Sequence, residues 1–109
     1  MVEKHYPYTQ SKEKVIEKLI GDDVAMINHV VLATGDALSE HYSDSNVYLV
    51  AVRGSLTIQL EDQEARYYQT CMVNVPFHTK MNISNTAKEA LEFVIAKAPH
   101  PRACKAQTI

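Results

Sequence analysis

The stretch Gly35-Asp-Ala-Leu-Ser-Glu-His41-Tyr-Ser-Asp-Ser-Asn-Val47-Tyr-Leu-Val-Ala-Val-Arg-Gly54 decides the fold. It reads as a turn, a short strand, a polar turn, a longer apolar strand and a closing turn, because β-branched and aromatic residues alternate with Gly, Asp, Ser and Asn clusters. The same rhythm extends outward on both sides. Thr34-Gly35-Asp36 and Ser43-Asp-Ser-Asn46 punctuate the first part, Arg53-Gly54-Ser55 and Glu61-Asp-Gln63 the middle, and Pro76 and Asn85-Thr-Ala-Lys88 the last. Turn signals about every ten residues predict a sandwich or a small barrel.

Individual strands declare their faces. Leu56, Ile58 and Leu60 alternate with Thr57, Gln59 and Glu61, the pattern of a strand with one buried and one wet side. Val47 to Val52 is apolar on both sides, so its second face needs a cover: an opposing strand, the N-terminal segment, or a second copy in a two-fold dimer. A homodimer is the expected partner state. Leu91 to Ala96 forms the last strand and Ala98-Pro-His-Pro101 stops it.

Upstream, residues 1 to 13 are polar and Tyr-rich and carry Pro7, which predicts an extended arm lying across the domain surface or a partner subunit. Lys14 to Ile20 fits either a helical stripe or a two-faced strand. Gly21-Asp22-Asp23 and the β-branched Val24 to Leu32 favour a hairpin. The expected organisation is one domain over 1–109, with a barrel core at about 24–96, the arm and hairpin at 1–23 and a mobile tail at 97–109.

With 109 residues, the chain can bury one core. A formal charge of −2 leaves no basic footprint, so nucleic acid is not expected as a partner, and neither is a membrane, since no apolar run approaches the roughly 20 residues of a span. The N-terminus has no apolar signal segment, and Cys71 and Cys104 show no paired spacing. Both thiols are expected to stay out of disulfides, in a cytoplasmic setting.

The Gly35–Gly54 segment resembles the first motif of the cupin superfamily, small double-stranded β-helix or jelly-roll barrels. That motif reads Gly, five residues, His-x-His, three or four residues, Glu, six residues, Gly. Gly35, His41 and Gly54 keep their places, while Ser43 stands for the second histidine and Val47 for the glutamate. In the second motif, Pro76 and Asn85 are kept, Thr70 and His78 stand for its two glycines, and Met81 for its histidine. The resemblance spans roughly residues 24 to 96 and implies an all-β, cupin-like barrel with degenerate metal-binding motifs.

The losses have a plain chemical meaning. A divalent transition metal needs three or four converging N or O donors. The ligand positions offer one imidazole, one hydroxyl, one thioether and a valine, so no metal or other cofactor is expected. A metal, if held, would fall to His41 and His78. The expected site is a ligand pocket lined by His41, Ser43, Val47 and Met81, with His5, His29 and His100 at the surface or in the tail. No nucleophile elbow and no phosphate-cradling Gly loop occurs. The expected function is a metal-free barrel that binds a small organic ligand or acts as a sensor. The alternatives are a metal-dependent dioxygenase- or isomerase-like enzyme with a reduced ligand set, and a ligand-free dimeric scaffold.

Overall fold

The computed structural model describes residues 2–105. Nine strands in two antiparallel sheets make up almost all of its regular structure. They are β1 (Val15–Gly21), β2 (Met26–Leu32), β3 (His41–Tyr42), β4 (Val47–Arg53), β5 (Leu56–Leu60), β6 (Arg66–Tyr68), β7 (Met72–Val75), β8 (Lys80–Ser84) and β9 (Leu91–Lys97). The five-stranded sheet runs β1-β2-β9-β4-β7 and the four-stranded sheet β3-β8-β5-β6. The ambiguous segment before Gly21 is thus a strand. It hairpins onto β2 through Asp22, whose carboxylate accepts the Val24 and Ala25 amides at 3.0 and 2.9 Å.

The two sheets close face to face on a core of Val30, Leu32, Val47, Leu49, Leu56, Ile58, Val75, Met81, Ile83, Leu91, Phe93 and Ile95. Period-2 alternation places these residues inward on their strands. On β5, Leu56 and Ile58 face inward as their alternation predicts, but Thr57 is buried too, because its hydroxyl pairs with that of Thr86 at 2.8 Å. Burial of an alcohol is tolerated when it finds a partner.

Past β9, residues Pro101–Lys105 form a short helix, α1, where a structureless tail was expected. Cys104 is buried there and its thiol donates to Ser45 Oγ at 3.6 Å, while Ser45 Oγ donates to the Pro99 carbonyl at 2.6 Å. Arg102 pairs with Asp23 of the β1–β2 turn, which ties α1 back onto the barrel. The rest of the expected mobile tail, residues 106–109, lies outside the described residues.

The turns keep the backbone of the two motifs even where the glycines are gone. Thr70 (φ 48°) and His78 (φ 64°) both adopt the left-handed conformation for which glycine is the usual choice. For a β-branched residue this conformation is strained. Thr70→Gly is therefore expected to raise stability, by about 0.5–1 kcal/mol after the added freedom of the unfolded glycine is subtracted. A urea unfolding midpoint that falls on this substitution would contradict the strain.

Candidate functional site

The four residues expected to line a pocket are placed by β3, β4 and β8. His41 and Met81 are direct partners across the β3–β8 pair, so the fold does bring the first and last ligand positions together. Their side chains part company. His41 is exposed, and its Nδ1–H donates to the Ser39 carbonyl at 2.8 Å. Met81 is 2% exposed and Val47 fully buried, both inside the apolar core.

Ser43, buried at the second histidine position, acts as a clamp. Its Oγ donates to the Pro76 carbonyl at 2.6 Å and accepts the Thr79 amide at 2.7 Å, while its own carbonyl accepts the His78 amide at 2.9 Å. With the Ser43 amide donating to the Thr79 carbonyl at 2.8 Å, four bonds hold the β7–β8 turn against the end of β3. His78, on that turn, packs edge-on to Tyr42 and Phe77. His41, Ser43, Val47 and Met81 line neither the cavities beside the N-terminal arm nor the gap between the sheets.

This donor set does not fit a divalent metal. Val47 has no donor atom, Met81 presents only a buried thioether, and the hydroxyl of Ser43 is committed to the turn. Among the described residues, no group of three or more His, Cys, Asp or Glu side chains is placed to hold a metal ion.

Polar chemistry is concentrated elsewhere. On the outer face of the larger sheet, Glu17, His29, Glu92 and Arg53 form a stripe across β1, β2, β9 and β4. Strand register explains it: Glu17 lies opposite His29, Arg53 lies opposite Glu92, and Val31, two residues from His29 on the same face, lies opposite Glu92. His29 Nε2 meets Glu92 Oε2 at 2.7 Å and its Nδ1 faces Glu17 Oε1 at 3.5 Å, while Arg53 Nε donates to Glu92 Oε1 at 3.4 Å.

The N-terminal arm roofs this stripe. Tyr8 stacks on His29 with ring centroids 4.4 Å apart, the Thr9 amide donates to Glu17 at 2.8 Å, and Arg53 Nη2 donates to the Ser11 carbonyl at 2.8 Å. The Thr9 amide holds the Glu17 carboxyl below its ordinary value, with His29 adding to the effect. The arm thus crosses its own sheet, and His29 is fully buried beneath it rather than at the surface. The sequence carried one hint of this, a histidine in a β-branched strand facing a charged residue of the preceding one. It becomes legible only when register is known.

Among the cavities of the described surface, three bear on function. One, of about 640 Å3, sits at the end of the larger sheet between Lys12, Ala33, Thr34, Arg53, Lys88, Glu89 and Ala90. A second, of about 510 Å3, adjoins it through Lys12 and Arg53 and is bounded by Tyr8 and Gln10 of the arm and by Glu92. The third, about 300 Å3, opens between the sheets where β6 and β7 are not bonded to each other. Its floor is Ile58 with Leu60, Tyr68 and Val73, and Gln63, Glu64 and Arg66 complete the lining.

The chain is 44% identical over 104 residues to the uncharacterized protein MJ0764 of Methanocaldococcus jannaschii, covering 94% of this chain and 90% of that one. The crystal structure of that protein, an RmlC-like cupin family protein with a double-stranded β-helix fold, superposes with a TM-score of 0.92 over 96% of this chain and 98% of its own. The chain belongs to the cupin superfamily. Within the superfamily the fold persists at far lower identity. A cupin superfamily protein of Desulfitobacterium hafniense matches at TM-score 0.71 and 17% identity, covering 84% of this chain and 83% of that one. The cupin domain of Schizosaccharomyces pombe Cnp3 matches at 0.73 and 16%, covering 86% and 70%. No family model matches the chain.

Proposed function

We propose that this cupin is a ligand-binding module of the cytoplasm that works without a metal, and that its ligand enters the gap between the sheets instead of the metal position of the barrel. The observation that carries this reading is the cavity of about 300 Å3 bounded by β5, β6 and β7. Its floor includes Ile58, a member of the core, with Leu60, Tyr68 and Val73 packed against that core. Arg66, Glu64 and Gln63 supply charge and hydrogen bonds at the rim. An apolar floor with a few polar groups at one end suits a small amphipathic molecule with an anionic tip. The packing of Val47 and Met81 into the core speaks against the deeper position.

Crystals soaked with a panel of small aromatic carboxylates test the reading. Fragments are expected in the gap with their carboxylate on Arg66, and Arg66→Ala should weaken binding about tenfold, the value of a hydrogen bond to a charged group. Stoichiometric metal in protein purified without a histidine tag, lost in His41→Ala, would instead support the enzyme alternative and sink this one. A gap that takes no fragment would favour the scaffold.

Homodimer formation is a second part of the proposal. The arm covers His29, but Val52 (53% exposed) and Met72 (67%) remain open on β4 and the edge strand β7, and Val50 and Met72 are cross-strand partners. A second copy would bury this apolar strip. Light scattering at micromolar concentration should give twice the chain mass of 12.3 kDa, and Val52→Asp should return it to one chain. A monomeric parent protein would exclude the dimer.

A further inference from the structure

We infer that the cleft between the arm, the end of β4 and the β8–β9 loop is a binding site for the phosphate group of a small phosphorylated molecule. Three cations from three separate segments converge on it: Lys12 from the arm, Arg53 from β4 and Lys88 from the loop. Among the described residues, neither Lys12 nor Lys88 takes part in an ion pair, so both ammonium groups are available.

Arg53 is held in place for the task. One of its Nη2 hydrogens goes to the Ser11 carbonyl at 2.8 Å and its Nε–H to Glu92 at 3.4 Å. A guanidinium has five N–H groups, which leaves three for a ligand. Fixing the fork before binding lowers the entropy lost when the ligand arrives.

The charge balance favours an anion. Lys12, Arg53 and Lys88 stand against two carboxylates, Glu89 in the cleft and Glu92 beside it on Arg53, and the balance stays positive. A planar carboxylate is satisfied by one fork or two donors, whereas a tetrahedral dianion presents acceptors in several directions and can engage donors from three separate segments at once. Ala33, Thr34 and Ala90 have short side chains, so the floor leaves room for a bulky headgroup. The adjoining space of about 510 Å3, with Tyr8 and Gln10 at its edge, can take the rest of the molecule. This cleft shares no lining residue with the gap between the sheets, so its fate is independent of the site proposed there.

The test is titration of the full chain with inorganic phosphate, followed by nitrogen–proton correlation NMR. Saturable shifts are expected at the Thr34, Arg53 and Ala90 amides. Lys12→Gln combined with Lys88→Gln should weaken binding at least about tenfold. Lys4→Gln combined with Lys18→Gln, outside the cleft, should leave it unchanged, and both variants should otherwise keep the parent spectrum. Succinate serves as the competing probe. Shifts that do not saturate, equal loss in both lysine pairs, unchanged binding in Lys12→Gln/Lys88→Gln, or tighter binding of succinate than of phosphate would each overturn the assignment.

Discussion

Gly54→Ala is expected to cost about 3–4 kcal/mol of folding stability, whereas Gly35→Ala should cost only about 1–2 kcal/mol. Both glycines adopt positive φ, 82° at Gly54 and 89° at Gly35, so both substitutions carry the penalty of a left-handed L-residue. The surroundings differ. A Cβ on Gly35 meets nothing within 4 Å. A Cβ on Gly54 would sit 2.4 Å from the Ala90 carbonyl oxygen and 3.1 Å from Leu91 Cα, both backbone atoms at the start of β9. No side chain can rotate away to relieve that contact, so β9 must shift, and Leu91 and Phe93 behind it are fully buried. Urea unfolding of the two variants measures the difference directly. Equal losses would mean that the β4–β5 turn and β9 are not packed this closely.

That pair of glycines also shows why the fold was legible and the site was not. Turn residues and strand alternation act locally: Gly35 and Gly54 stand where the backbone turns left-handed, and Leu49, Leu56, Ile58 and Phe93 alternate inward as their spacing requires. Motif positions likewise carry backbone information that survives substitution, since Thr70 and His78 keep positive φ in place of glycine. Asn85 keeps its place because its side-chain amide donates to the Leu32 and Glu89 carbonyls, at 2.9 and 2.7 Å, and fastens the end of β2 to the β8–β9 loop.

The polar sites depend on register and on the path of the arm, neither of which is written in local spacing. Lys12, Arg53 and Lys88 are separated by long stretches of chain and meet only after β2, β4 and β9 pair. His29 could be assigned to the surface because nothing near it in sequence bonds to it. Its partners are Glu92, Glu17 and Tyr8, each on a different segment. His41 drew attention because the motif did, but motif position fixes the backbone pairing with Met81 and says nothing about which way the His41 side chain turns, and it is exposed.

The His29–Glu92 pair gives the other large expected effect, and its sign depends on how the pair is removed. His29→Leu alone is expected to cost about 3 kcal/mol, because it strips a buried carboxylate of its best partner and leaves a neutral side chain between Glu92 and Glu17. Arg53 stays 3.4 Å from Glu92, which keeps the estimate at the lower end of the range for a broken buried pair. Glu92→Leu alone should also destabilise, since His29 is fully buried and Glu17 is its remaining polar neighbour, at 3.5 Å. Replacing both should recover most of the loss, to within about 1 kcal/mol of the parent, because two leucines under Tyr8 remove both desolvation penalties at once. The coupling energy from the double-mutant cycle is therefore favourable and about 2 kcal/mol or more. Additive losses would show that the two side chains act separately. In that case the arm would be held through Glu17 and Arg53, which bond the backbone of Thr9 and Ser11 without passing through His29.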